Sequence, residues 1–103
     1  MNQHFVYIWE YKVRDIHQEQ FLKIYGPEGK WVQLFKKADG YIRTYLYQDI
    51  EDDERFVTVD CWKSKRHRDN FRIEFSREFD HLDDLAEKYT AHEISLGEFY
   101  SMK

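Results

Sequence analysis

Residues 41–63, YIRTYLYQDIEDDERFVTVDCWK, are the stretch that decides the fold. Two runs rich in aromatic and β-branched residues, 41–50 and 55–63, flank the acidic segment 51–54, and this arrangement is typical of a β-hairpin. The acidic segment lacks the glycine and the ligand spacing of a calcium-binding loop. We therefore interpret it as a solvated turn between two antiparallel strands.

Two further strands lie at the two ends of the chain. Residues 4–14, HFVYIWEYKVR, alternate with the period of two that is expected of a strand, and the first half of this stretch is apolar on both faces. A strand of this kind is covered on both sides. Residues 91–100, AHEISLGEFY, alternate in the same way.

The segments between the strands have helical patterns. Asp15 is placed to cap a helix that the Gly-Pro pair at 26–27 ends. A second short helix follows and stops at the Asp-Gly pair 39–40. Ser64 is placed to cap one long helix over 64–88, whose apolar residues form a wide face.

This order of elements predicts an α+β fold. The sequence β-α-α-β-β-α-β, with the first helix split in two, is the ferredoxin-like arrangement, in which a four-stranded antiparallel sheet carries its helices on one face. Because the strands are apolar on both faces, we expect a second subunit to cover the other face. The prediction is a single domain over residues 1–103 that forms a homodimer.

Composition excludes several classes of protein. The 103 residues carry a formal net charge of −4, which argues against a nucleic-acid partner. The single cysteine excludes an internal disulfide and favours a reducing, cytoplasmic location. No apolar run approaches the length of a membrane span, and neither a membrane nor a metal site is expected. Aromatic residues make up 18% of the chain, so rings must fill the core or line a cavity or an interface.

With the chain laid out in this way, the sequence resembles the antibiotic biosynthesis monooxygenase family of dimeric α+β barrels. The stretches that carry the resemblance are IWEYKV, YGPEGKWVQLFKKADGYIRTYL, VTVDCWKS and EISLGEFY. The resemblance implies a homodimer whose two sheets form a barrel, with a pocket in each subunit between sheet and helices. Members oxygenate aromatic polyketides without metal or flavin, and other branches degrade haem.

Two residues of the long helix are candidate catalytic groups. At about 100° per residue, Glu78 falls in the middle of the apolar face, where a carboxylate is either buried with a partner or lines a cavity. Burial would raise its pKa and make it a general base. His81 lies on the edge of the same face. The alternative is that the helix bends near Phe79-Asp80 and Glu78 reaches solvent, or that Glu78 pairs with Arg43 or with an arginine of the other subunit.

Candidate substrate-binding residues lie on two strands and on the long helix. Arg43, Tyr45 and Tyr47 share one face of a strand, where they either orient an oxygenated aromatic substrate or form the dimer interface. Asp60 and Trp62 share a face of the next strand, as a buried polar group and as a wall of the pocket or a core residue. The apolar face of the long helix contributes Phe71 and Phe75.

We interpret the protein as a monooxygenase that needs no cofactor and acts on a small planar aromatic or polyketide-like substrate. Glu78 or His81 would remove a proton, and the resulting carbanion would reduce O2. One alternative is a haem-binding or haem-degrading protein with His81 as axial ligand, a role that the resemblance to the haem-degrading branch implies. Phe71 stands where that branch has a Trp. The other alternative is a non-catalytic dimer that binds a small molecule.

Overall fold

The computed structural model describes residues 3–102; residues 1, 2 and 103, which belong to the predicted domain, lie outside this range. Strand β1 (Phe5–Lys12) is followed by a 3-10 turn (Asp15–His17), helix α1 (Gln18–Tyr25) and helix α2 (Lys30–Phe35). Strands β2 (Tyr41–Gln48) and β3 (Arg55–Trp62) form the hairpin. Helices α3 (Lys65–Glu74) and α4 (Ser76–Ala86), a second 3-10 turn (Glu87–Tyr89) and strand β4 (His92–Tyr100) complete the chain.

The four strands form one antiparallel sheet in the order β2-β3-β1-β4. This is the ferredoxin-like order, in which the first and third strands lie at the centre, and it confirms the predicted α+β fold. The predicted strands agree with the observed ones to within one or two residues. Each edge strand has a register shift, between Tyr41 and Arg43 in β2 and opposite Ile8 and Trp9 in β4.

The helices differ from the prediction at three points. Asp15 does not cap α1, because it begins the 3-10 turn and α1 starts at Gln18 without a side-chain cap. Helix α2 ends at Phe35, before the Asp-Gly pair at 39–40 is reached. The single helix predicted over 64–88 is instead two helices that meet at Phe75, whose backbone angles (φ −110°, ψ 29°) leave the helical region. Ser64 caps α3 as expected, since its hydroxyl oxygen accepts a hydrogen bond from the backbone N–H of His67 at 3.2 Å. Helix α1 ends at Tyr25, immediately before the Gly-Pro pair.

The core is built mainly of aromatic rings between the helices and one face of the sheet. Trp62 is 1% exposed and packs against Phe35, Tyr41 and Phe71, with ring centroids 5.3–5.6 Å apart. Edge-to-face and tilted ring pairs of this kind contribute beyond the apolar area that they bury. The aromatic content of the sequence is therefore partly explained by this core.

Gly40 fixes the turn that leads from α2 into the sheet. Its φ of +90° is a conformation that side chains rarely adopt, and a Cβ there would lie 2.3 Å from the ring of His67. The imidazole of His67 is itself held at 2.8 Å from the Ser64 hydroxyl. The beginning of α3 is thereby fixed against the beginning of β2.

Candidate functional site

A cavity of about 310 Å³ lies between the sheet and the helices. This volume is in the range of sites that hold a small organic ligand. Nine of the lining residues are aromatic: Tyr7, Trp9, Tyr11, Tyr25, Trp31, Phe35, Trp62, Phe71 and Phe79. The others are polar: Thr44, Thr58, Asp60, Arg68, Arg72, Asp80, Asp83 and Glu93. The cavity thus combines flat aromatic rings with eight polar residues.

The strand register determines which side chains of the sheet lie next to each other in the cavity. The sheet side of the cavity is called its floor. Tyr7 of β1 is paired with Asp60 of β3, and Trp9 is paired with Thr58 two residues further along. Tyr11 pairs with Glu93 of β4 at the far end. Because alternate residues of a strand share a face, these side chains form one surface that faces the helices. One end of this floor therefore carries Asp60 and the other carries Glu93.

Asp60 is the polar centre of the first end. Its Oδ1 accepts a hydrogen bond from Thr44 Oγ1 at 2.8 Å, and Thr44 Oγ1 in turn accepts one from the Tyr41 hydroxyl at 2.8 Å. Burial raises the pKa of Asp60 to about 6, although the hydrogen bond from Thr44 and the charge of Arg68 act in the opposite direction. Asp60 can therefore exchange a proton near neutral pH.

Two arginines of α3 lie above this floor. The guanidinium carbon of Arg68 is 4.4 Å from the ring centroid of Tyr7, and that of Arg72 is 3.8 Å from the ring centroid of Phe79. Both distances are within the range of cation–π contacts. Arg68 also forms an ion pair with Asp69 at 3.3 Å. The cavity therefore has cationic groups on its helical side.

The second end of the cavity is built around Glu93. Its Oε1 accepts hydrogen bonds from the Tyr25 hydroxyl at 3.3 Å and from Thr90 Oγ1 at 3.1 Å. Burial raises the pKa of Glu93, and the nearby charge of Asp83 adds to the effect. Trp31 also lines the cavity, and its Nε1, which is buried, has no hydrogen-bond partner among the described residues.

Three of the predicted site residues line this cavity: Asp60, Trp62 and Phe71. Phe75 is half-buried and lies behind Phe71, with ring centroids 5.7 Å apart, and does not line the cavity. The cavity is also lined by Thr44, Arg68 and Glu93, which were not predicted as site residues from the sequence. Arg68 could have been found, because it lies one helical turn before Phe71 and therefore on the same side of α3.

Glu78 and His81 lie elsewhere. Both side chains are exposed on α4, and neither lines the cavity. The expectation that Glu78 occupies the middle of the buried face is wrong. The buried face of α4 contains Phe79, Leu82 and Ala86 instead. Glu78 reaches solvent, as the alternative expected, but the helix is interrupted at Phe75 and not near Phe79-Asp80.

Arg43, Tyr45 and Tyr47 also lie away from the cavity. The register shift in β2 places Thr44 opposite Asp60 on the helix-facing side, so Arg43 and the two tyrosines occupy the opposite face of the sheet. There the Arg43 guanidinium donates to the Tyr45 hydroxyl at 3.2 Å, and the rings of Tyr45 and Tyr47 stack with centroids 6.1 Å apart. Of the two predicted roles, this position suits the interface.

The cavity does not contain the axial histidine that the haem alternative requires. None of its lining residues is a histidine, a cysteine or a methionine, and of the side chains that ligate haem iron only tyrosines are present in the lining. An axial bond from His81 would hold the ring at the surface of α4 and outside the cavity.

Among residues 3–102, no three His, Cys, Asp or Glu side chains come together as a metal site. No helix in that range has both the length and the apolar character needed to span a membrane.

Comparisons with known proteins were made by sequence and by structure. No family model matches the sequence, and no curated protein matches it. SnoaB, a cofactor-independent oxygenase from Streptomyces nogalater, superposes with a TM-score of 0.80 at 13% identity, over 97% of this chain and 94% of that one.

Two further solved structures have similar folds. A Nitrosomonas europaea protein assigned as an antibiotic biosynthesis monooxygenase gives a TM-score of 0.74 at 14% identity, over 99% of this chain and 93% of that one. A Bordetella bronchiseptica protein with the same assignment gives 0.65 at 19% identity, over 98% and 97%. The chain therefore has the fold of the antibiotic biosynthesis monooxygenases, the family that its sequence resembles.

Proposed function

We propose that the protein is a cofactor-independent oxygenase for a small planar aromatic substrate that carries an acidic C–H or O–H group. The observation that carries this proposal is Asp60, a carboxylate with a pKa near neutrality at the floor of an aromatic cavity. A flat substrate would lie between the rings of the floor and those of the helices. Stacking against the half-buried indole of Trp9 would hold it in a fixed orientation.

Asp60 takes the role of the general base in this proposal. With a pKa of about 6 it is mostly ionised at neutral pH, yet it is basic enough to accept a proton from an activated C–H group. Its hydrogen bond from Thr44 holds the carboxylate in one orientation. Glu78 and His81, the bases predicted from the sequence, could act only on a substrate bound outside the cavity.

Arg68 takes the role of the electrostatic partner. Its guanidinium lies over Tyr7, next in the floor to Asp60, and can stabilise the negative charge that develops on a substrate oxygen when the proton leaves. The resulting carbanion has the electron density needed to reduce O2 directly. The reaction as proposed draws only on substrate, O2 and the side chains of the cavity.

The opposite face of the sheet supports the proposed homodimer. Tyr45, Tyr47, Ile94 and Phe99 lie on this face and are 41–55% exposed, in an area that none of the helices between residues 3 and 102 covers. Large exposed apolar surfaces of this kind mark protein interfaces. A second copy packed by twofold symmetry would bury this face. With one cysteine in 103 residues, the dimer is proposed to work in the reducing cytoplasm.

The experiment is an oxygen-uptake assay with anthrone-type and quinol compounds. We expect turnover by the wild type and a loss of roughly 100-fold or more in Asp60→Asn, since a general base contributes about that much. Glu78→Gln and His81→Ala are the matched controls and should retain wild-type rates. The rate should fall as the pH drops below about 6, because Asp60 is then protonated. Full activity of Asp60→Asn, or loss of activity only in the controls, would overturn the assignment.

A further inference from the structure

The charges that line the cavity are unequal in number. Four carboxylates, Asp60, Asp80, Asp83 and Glu93, face two guanidinium groups. None of these four carboxylates forms an ion pair with another residue between 3 and 102. The cavity therefore has an excess of negative charge and would repel a ligand that carries a carboxylate.

The excess is concentrated at the end opposite Asp60. Burial raises the pKa of Asp83, and the charges of Asp84 and Asp80 raise it further, while the charge of Arg72 acts in the opposite direction. The charge of Asp83 likewise raises the pKa of Glu93, which burial also raises. Groups that repel each other in this manner gain stability when a positive charge binds between them.

The rings at this end are suited to a cation. Tyr11 and Tyr25 lie with ring centroids 4.6 Å apart, and Trp31 and Phe79 lie 4.9 Å apart. The guanidinium of Arg72 already lies on the face of Phe79, so a ring of this group does bind a cation in the folded protein. Aromatic faces next to carboxylates are the usual surroundings of ammonium ligands.

Trp31 places a hydrogen-bond donor at this end. The side chain is 8% exposed, and its buried Nε1 has no hydrogen-bond partner of ordinary geometry among the described residues, although it lies near enough to the Tyr25 hydroxyl to oppose the rise in pKa that burial causes there. Because an indole N–H only donates, it would meet an acceptor oxygen of the ligand and not its ammonium group.

We infer that the substrate of the proposed oxygenase carries a protonated amine, which Glu93 and Asp83 bind at the end of the cavity opposite Asp60. Glu93 is then a specificity-determining residue: it accepts a hydrogen bond from the ammonium group, while Asp60 meets the reacting part of the ring system. This inference rests on the proposed function, because it takes the cavity as the substrate site.

Isothermal titration calorimetry with three matched probes tests the inference. The probes are a naphthol that carries an aminomethyl group, the same naphthol with a methyl group in that place, and the same naphthol with a carboxylate. We expect the aminomethyl probe to bind about tenfold more tightly than the methyl probe and the carboxylate probe to bind most weakly. Glu93→Gln should reduce the preference for the amine to about twofold and leave the affinity for the methyl probe unchanged.

Glu98→Gln is the control, because Glu98 lies on the same strand but does not line the cavity. It should retain the wild-type preference. Equal affinities for all three probes, or tightest binding of the carboxylate, would overturn the amine inference and leave the proposed function standing. If no probe binds, both fail, because the cavity then does not hold a planar aromatic molecule.

Discussion

Strand β3 has two faces that differ in what covers them. Phe56, Thr58 and Trp62 point towards the helices and are at most 4% exposed. Val57 and Val59 alternate with them, point the other way and are only partly buried. The same eight-residue strand thus contributes one side to a core with a cavity and the other to an uncovered apolar surface. A strand that is apolar on both faces needs two coverings, and this chain supplies one of them.

The two faces of the sheet differ in structure, although the sequence pattern of each is similar. Aromatic and polar residues occur on both faces, but on the helix-facing side they surround a cavity of about 310 Å³. On the outer side they form an exposed surface that includes Tyr45 and Tyr47. We therefore propose that the first face binds the small molecule and that the second forms the dimer.

The largest effect is expected from Trp62→Ala. This side chain is almost completely buried against Phe35, Tyr41 and Phe71 on the helix-facing side. Its removal should cost about 3–5 kcal/mol of unfolding free energy, measured by urea denaturation. Ile73→Ala, on the exposed surface of α3, is the control and should stay within about 0.5 kcal/mol of the wild type. Similar losses in both variants would show that this face is not the core.

The burial of Asp60 should make the free energy of unfolding depend on pH. Burial raises the pKa of Asp60 from 3.8 to about 6 in the folded state, so the native protein holds this proton more tightly than the unfolded chain. The contribution of Asp60 to stability therefore falls as the pH rises from about 4 to 6. The total change is about 3 kcal/mol at the rate of 1.36 kcal/mol per pKa unit.

Asp60→Asn, which keeps the acceptor for Thr44, should consequently gain stability relative to the wild type when the pH rises from 4 to 7. Asp69→Asn is the matched control of opposite sign. The hydrogen bond from Lys65 lowers the pKa of Asp69, so this carboxylate stabilises the fold at neutral pH and loses that contribution in acid. Urea titrations at several pH values measure both. A difference between Asp60→Asn and wild type that is constant with pH would contradict the burial of Asp60.

The outer face is tested by Tyr45→Glu. A carboxylate in this apolar interface would be desolvated, and an ion pair with the neighbouring Arg43 would offset only part of that cost, so we expect the dimer dissociation constant to rise by roughly 100-fold. Analytical ultracentrifugation should give twice the chain mass of 12.8 kDa for the wild type and the single mass for the variant. Tyr45→Phe and Ile73→Glu should both remain dimeric. A monomeric wild type at micromolar concentration would rule out the proposed dimer.

The smallest effect is expected from Ser64→Ala. The Ser64 hydroxyl caps α3, the helix that carries Arg68 and Phe71 over the cavity. Loss of the cap should cost about 1 kcal/mol, measured by thermal or urea denaturation. Ser64→Asp keeps an acceptor for the N–H of His67 and should retain most of the stability. Equal losses in the two variants would indicate that the hydrogen bond contributes little.

The fold was predictable because its signals are local. Alternation over eight to ten residues identified each strand, and the Gly-Pro pair at 26–27 and Ser64 marked the helix boundaries. Each of these signals depends on residues a few positions apart, and the structure agrees with them. The order of the elements was then enough to give the ferredoxin-like topology.

The site was less predictable because two small irregularities changed which way side chains point. The register shift in β2 turned Thr44 to the cavity and left Arg43 on the other face. The break at Phe75 interrupts the helix on which the position of Glu78 was calculated. On a wheel that starts at Phe71, Leu82 lies near 20°, Ala86 near 60° and Phe79 near 80°. The centre of the buried face of α4 therefore lies about 70° from Glu78, which is near −20°.

Asp60 and Trp62 were found because neither irregularity affects their strand. Strand β3 is central and pairs with β1 without interruption from Trp62 to Arg55, so simple alternation gives the direction of each side chain. Glu93 was missed as a site residue because it reaches the cavity only through the pairing of β4 with Tyr11, across more than eighty positions of sequence. Such a long-range pairing leaves no signal in a local pattern.

The most direct test of the division between the two faces is a methyl NMR titration with the methyl-substituted naphthol. The γ-methyl groups of Thr44 and Thr58 belong to residues that line the cavity, and the methyl groups of Val57 and Val59 belong to the other face. We predict saturable shifts for the two threonines and none for the two valines. Saturable shifts confined to the valines, or none in either pair, would contradict the assignment of the helix-facing side as the ligand site.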